Sequence, residues 1–237
     1  MERTLLVNGR LPILGQAPAM EVLNHAGDPP DLFGYAGSCV GTNAPDWQHP
    51  LPEDAVLDLE GALLLPGFCD LDIGLDRFSG ESNEYYPAYR LAADALYRGV
   101  TSVGVRGDGP VLEALEGVAN DYTLWTPQIA RWNPDRVPSA YAVFYGAPEK
   151  GTREEEMYLQ KVRRALRLGK PPAVATGRSP RDRVDGVSPL VRAAELIHQG
   201  GYGRVETIRA ITENNAFLLG LSQRTGCLKT GLEADVK

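Results

Sequence analysis

Residues 56–76 read Val56-Leu-Asp-Leu-Glu-Gly-Ala-Leu-Leu-Leu-Pro-Gly-Phe-Cys-Asp-Leu-Asp-Ile-Gly-Leu-Asp76, and this stretch decides the fold. The apolar run from Gly61 to Phe68 predicts a buried strand. It leads at its C-terminal end into a polar loop that carries Asp70, Asp72 and Asp76, with Gly74 between the last two.

Working outward, Thr4–Leu11 is strand-like with a glycine turn, and residues 15–54 are crowded with Gly, Pro, Asp and Asn, the pattern of loops joining short strands. Val56–Leu59 and Ala62–Leu65 read as a second strand pair. On the other side, apolar residues recur at helical spacing from Pro87 and stop at Gly99. Val100–Val105 is then a short buried strand that ends in Arg106-Gly-Asp-Gly-Pro110, and a helix over Val111–Ala119 follows. Tyr122–Ala130 and Tyr141–Tyr145 are further strands. Thr152 and Glu155 have the spacing of a capping box for a helix over 153–168, closed by Gly169. Pro171–Thr176 is the last inner strand, helices at about 189–199 and 204–220 follow, and 222–237 returns to turn and strand. Strands alternating with helices in this way argue for parallel β/α units.

The chain has 237 residues, 43% of them hydrophobic, enough to bury a core. Its net charge of −7 argues against a nucleic-acid or anionic-membrane partner. No stretch reaches the roughly 18 apolar residues of a membrane span, and no signal peptide is expected. The three cysteines, Cys39, Cys69 and Cys227, are odd in number and far apart, which points to a reducing, cytoplasmic setting.

Pro66-Gly-Phe-Cys-Asp-Leu-Asp-Ile-Gly74 resembles the Pro-Gly-Phe-Ile-Asp-x-His-x-His entry of the amidohydrolase superfamily, in which both histidines hold a catalytic divalent cation. Pro66, Gly67, Phe68 and Asp70 match, whereas Asp72 and Gly74 stand in the two histidine places. Leu6-Val-Asn-Gly-Arg10 is similar to the first strand of the small β-sandwich that accompanies these barrels. Ile211-Thr-Glu-Asn-Asn-Ala-Phe-Leu-Leu-Gly-Leu221 is similar to the family's Thr-x-Asn-Pro-Ala helix, with Asn215 in the proline place. Gly226–Asp235 resembles the turn leading back to the sandwich. Between Asp72 and Arg106 the spacing is that of the dihydroorotase and dihydropyrimidinase branch, with Glu84 ahead of a helix that ends in Gly99-Val-Thr-Ser-Val103.

The resemblance implies an α/β fold: a truncated or distorted TIM-like (β/α) barrel over 62–221, with a small β-sandwich formed by 1–61 and 222–237. A complete barrel takes about 250 residues, so this one has five or six units. The family's central metal-bearing strands have no counterpart. The last strand, which in the family ends in the general-base aspartate, here ends Ala173-Val-Ala-Thr-Gly-Arg178, with Gly177 and its neighbours offering no carboxylate.

Little remains that could activate water. His25, His49 and His198 read as surface or capping residues, and Cys69 has no neighbouring histidine to activate it. Asp70, Asp72, Asp76, Glu81 and Glu84 could hold a hard cation such as Mg²⁺. The plainer reading gives Asp70 a structural hydrogen bond and leaves the others in solvent. Arg106 and Arg178, each after an inner strand, either grip an anion or pair with the aspartates of the old metal site, and the second reading is favoured. The expected site therefore has no catalytic residue, metal or cofactor; Asp70, Asp72, Gly74 and Gly177 are its degenerate positions. An incomplete barrel also exposes strand edges that need a cover, and helix 153–168 is one candidate.

Three functions are open. The favoured one is a non-catalytic, dihydroorotase-like accessory or regulatory subunit. In size and character the chain is similar to the small third polypeptide that accompanies aspartate carbamoyltransferase and dihydroorotase in a pyrimidine-pathway complex of some thermophilic bacteria. Its expected partners are those enzymes or a second copy. The alternatives are a cyclic-amide hydrolase with a carboxylate-bound metal, and an anion or nucleotide sensor using Arg106 or Arg178.

Overall fold

The computed structural model describes residues 2–7, 9–10, 19–24, 32–37, 55–74, 85–106, 110–121, 127–228 and 232. The chain divides into two compact units, residues 1–66 with 223–237, and residues 67–222. The first boundary falls at Pro66 rather than at Gly61.

In the smaller unit, β1 (Glu2–Val7), β2 (Ala19–Asn24), β3 (Leu32–Gly37) and β4 (Ala55–Asp58) form one sheet in the order β3-β2-β1-β4. β1 runs antiparallel to β2 and parallel to β4. After β4 the chain turns at Glu60 and Gly61, both left-handed (φ 49° and 80°). The expected buried strand over Gly61–Phe68 does not form. Arg10 makes one isolated bridge to Leu63, Pro66 has no N–H to extend a ladder, and Leu63 is 54% exposed. The true strand, β5, begins where the apolar run was expected to end and covers Phe68–Asp70.

In the larger unit β5, β6 (Val100–Val105) and β7 (Gln128–Arg131) are parallel neighbours, joined by α1 (Tyr85–Tyr97) and α2 (Pro110–Asp121). β8 (Ala142–Tyr145) and β9 (Pro172–Ala175) are parallel and joined by α3 (Arg153–Arg167). β5 and β9 meet at a seam where the Leu71 N–H donates to Val174 O (3.1 Å) and the Gly177 N–H to Asp72 O (2.7 Å). Five parallel strands thus lie in the order β8-β9-β5-β6-β7. β7 and β8 are linked by a single 3₁₀ turn at Pro134–Arg136 instead of a crossover helix. Among the described residues, the outer edges of β7 and β8 pair with no other strand.

Alternation along the strands splits the core in two. Val103, Val105, Phe144 and Val174 pack against α1, α2, α3 and α4 (Pro189–Gln199). On the opposite face Cys69, Leu71, Trp132, Ala173 and Ala175 pack against Ala216 and Leu219. The small side chains of β9 leave room for a helix to lie on that face. Gly67 serves a similar closeness, since a Cβ there would fall on the Thr101 side chain.

The capping box of α3 forms in part. The Glu155 N–H donates to Thr152 Oγ1 (3.2 Å), but the Glu155 carboxylate accepts from Gly151 N–H (2.6 Å), one residue upstream of the cap. It also meets Arg192 of α4 (2.5 Å), a buried cation that Asp185 and Glu195 surround as well. The single helix expected over 204–220 is two, α5 (Arg204–Ala210) and α6 (Glu213–Leu218), broken at Thr212 (φ −134°, ψ −96°). The break frees Ile211 O to accept from the Cys69 N–H (2.7 Å) and turns α6 toward the seam. α3 packs on the outer face of β8 through Tyr158 and Phe144, ring centroids 5.6 Å apart. It lines the free edge of β8 without covering it. Among the described residues no helix is long and apolar enough to cross a membrane.

Candidate functional site

The residues singled out at the C-terminal ends of β5, β6 and β9 come together, locked to one another. Asp70 is buried in the seam. Its Oδ1 accepts from the Thr176 N–H (3.0 Å) and the Asp72 N–H (3.1 Å), and its Oδ2 accepts from the Thr176 hydroxyl (2.6 Å). Burial raises its pKa to about 7, against the opposing pull of these bonds. Thr176 ends the strand on which the family resemblance leads one to expect a general base; here it serves Asp70 instead.

Asp72, in the first histidine place, is 3% exposed. Arg106, at the end of β6, donates to its Oδ2 through both Nε and Nη2. The same guanidinium lies 5.7 Å from the ring centroid of Tyr145, at the end of β8. One cation therefore joins the tips of β5, β6 and β8 where ligands of a barrel metal would converge. This is the ion-pair reading of Arg106.

Gly74, in the second histidine place, is left-handed (φ 62°), and a Cβ on it would run into the Gly177 carbonyl. The turn after β9 has moved into that space. Its Gly177 N–H holds Asp72 O from the other side. No L side chain fits at position 74 without displacing that turn.

Arg178 lines a separate cleft with Asp70, Arg98, Thr176 and Ser188, of about 10 Å³, room for one water. Its side chain has no ion-pair or hydrogen-bond partner among the described residues, but the cleft is too small for an organic anion. His198 Nδ1 lies 2.9 Å from Tyr202 O, beyond the end of its helix. Cys69 is fully buried, with its thiol toward Gly67 O at 3.9 Å. His25, His49, Cys39, Asp76, Glu81, Glu84 and Asp108 lie outside the described residues. Among the described ones no three His, Cys, Asp or Glu side chains converge as a metal would need.

Two residues of the site were not singled out by pattern. Tyr145 had no local signal. Asn215 had one, its place in a motif that elsewhere holds proline. Its side chain enters the seam: Nδ2 donates to Cys69 O (2.6 Å) and Val174 O (2.8 Å), and Oδ1 accepts from the Val174 N–H (3.0 Å).

No family model and no curated protein sequence matches the chain. Solved structures do. Molinate hydrolase superposes with a TM-score of 0.70 at 11% identity, over 99% of this chain and 89% of that one. A Xaa-Pro dipeptidase with methionine bound in its active site gives 0.65 at 12%, over 99% and 93%. Ochratoxinase of A. niger gives 0.64 at 13%, over 100% and 89%. The chain shares the α/β fold of these structures. Identities this low establish shared architecture, and the site stands on its own geometry.

That geometry predicts that histidines cannot simply be put back. Asp72→His with Gly74→His should bind no zinc after dialysis against a zinc buffer. It should also lose at least about 2 kcal/mol, from left-handed strain and the displaced turn. Stoichiometric zinc at an unchanged urea midpoint would show that the place is still open.

Proposed function

We propose that this chain is a non-catalytic accessory subunit of amidohydrolase fold. It assembles in the cytoplasm with enzymes of pyrimidine biosynthesis, dihydroorotase or aspartate carbamoyltransferase. The observation that carries the first part is the Asp72–Arg106 pair beside the closed space at Gly74. Activation of water by a divalent ion needs several N or O ligands converging on one point with a position left open. Here Asp72 is already neutralised by Arg106, and that cation would repel a second one. What supports the pyrimidine branch is the Gly99–Val103 motif, which closes α1 and opens β6 as the branch's spacing requires.

The two parts are tested separately. Purified chain mixed with each enzyme at micromolar concentration should co-elute with at least one on size exclusion, and migration apart from both would remove the partner assignment. For the non-catalytic part, the solved neighbours include a Xaa-Pro dipeptidase, so dipeptides are substrates to try, together with the cyclic amides that the branch resemblance implies. Turnover above background that Asp72→Ala abolishes would restore a catalytic reading.

A further inference from the structure

The free edge of β8 borders a groove of about 280 Å³, walled by α3. Ala142, Val143, Phe144 and Tyr145 all line it. Side chains alternate across a strand, so four consecutive residues share one groove only where it runs along the backbone edge. The register with β9, in which Ala142 N–H donates to Pro171 O and Gly146 N–H to Ala175 O, turns the backbone of Val143 and Tyr145 the other way. Their N–H and C=O groups form a row about 10 Å long, at ~3.3 Å per residue, that pairs with nothing among the described residues.

The opposite wall is one stripe of α3, Tyr158, Lys161, Ala165 and Leu168, with Arg164 beside it. Tyr158 is 5% exposed and its hydroxyl has no hydrogen-bond partner. That oxygen is itself buried, and burial holds its pKa far above the ordinary phenol value, so it keeps its proton. Lys161 and Arg164 have no ion-pair partner among the described residues, and Lys170 closes one end, bonded to Ser139 O (2.7 Å). Among the described residues no acidic side chain lines the groove, although the chain as a whole carries −7.

We propose that this groove is a docking site for an extended acidic segment of a partner protein, which adds to β8 as a sixth strand. Val143 and Tyr145 supply the main-chain hydrogen bonds, and Lys161 and Arg164 receive carboxylates on the side facing α3. A second copy of the chain is a poorer occupant, because pairing β8 with itself would bring the same cations together. The inference stands apart from the accessory-subunit reading, since an enzyme could carry the same edge.

The test uses the full chain, labelled with ¹⁵N, and three end-blocked heptapeptides: alternating Glu and Val, alternating Lys and Val, and the acidic one N-methylated at alternate residues. The acidic peptide should shift the Val143 and Tyr145 amide signals and slow their hydrogen exchange at least tenfold at saturation. The other two should leave both unchanged. Lys161→Glu with Arg164→Glu should weaken binding at least tenfold. Val143→Pro, which removes an N–H that bonds nothing among the described residues, should abolish it. Equal binding of the lysine peptide, no response to the acidic peptide at millimolar concentration, or dimers that Val143→Pro dissolves would each overturn the assignment; the last would give the edge to a second copy.

Discussion

Replacing Asn215 by alanine is expected to cost about 4 kcal/mol of stability, more than any other single truncation of a polar side chain at the site. Asn215 is fully buried, and its amide satisfies Cys69 O, Val174 O and the Val174 N–H, groups that face each other across the β5–β9 seam. The two strands are linked by backbone bonds only at Leu71 and Gly177, so the side chain substitutes for rungs of the ladder. Alanine would strand Cys69 O and the Val174 N–H at roughly 1–3 kcal/mol each and leave Val174 O with the Leu71 N–H alone. Proline, the residue the resembling motif carries here, offers none of the three bonds. Asn214 is the internal control: its side chain makes one part-buried bond, to Pro172 O (2.7 Å), and Asn214→Ala should cost about 1 kcal/mol. Urea denaturation of the two variants decides the matter, and equal losses would show that the seam does not depend on Asn215.

What could be read from the chain beforehand divides by range. α3 and β6 were legible because their signals are local: Thr152 and Gly169 at the ends of one helix, and Val100-Thr-Ser-Val directly after the Gly99 stop in one strand. The residues in the two histidine places of the resembling motif were legible too, since Asp72 and Gly74 stand in the sequence itself. Their contacts were not. Arg106 was one of two arginines that could have paired there, and its choice of Asp72 is made across 34 residues. Asn215 reaches Cys69 across 146, and no periodicity carries such a pairing. The break at Thr212 went unseen for the same reason. Propensity favours continuing the helix, and the bond from Cys69 N–H to Ile211 O, with the seam waiting for Asn215, overrides it. The strand misplaced over Gly61–Phe68 failed locally, because an apolar run does not distinguish a buried strand from a connecting segment.

The seam also makes stability depend on pH in an unusual sense. Asp70 titrates near 7 in the folded chain, against 3.8 for an ordinary aspartate. Between those values the folded state binds a proton that the unfolded state has released, so stability falls as pH rises. The contribution is fully present below about pH 4 and is lost once pH passes 7. At 1.36 kcal/mol per pKa unit, the expected loss from pH 5 to pH 8 is about 2.5 kcal/mol. Glu155 shifts the opposite way, its pKa lowered first by the Gly151 N–H; its effect is confined to pH below the ordinary glutamate range and leaves this window clear. The neutral acid is also well accommodated. Once protonated, Asp70 can donate to Thr176 Oγ1, and that hydroxyl can turn to Asp72 O (3.3 Å) or Arg178 O (3.4 Å). Asp70→Asn keeps an acceptor for the Thr176 and Asp72 N–H groups, puts a donor where the proton would be and removes the charge. Its urea midpoint should therefore hold steady between pH 5 and pH 8 and lie above that of the natural chain at pH 8. A natural chain whose midpoint rises over the same interval would mean that Asp70 is ionised throughout, held by Thr176 and the Asp72 N–H more strongly than burial opposes.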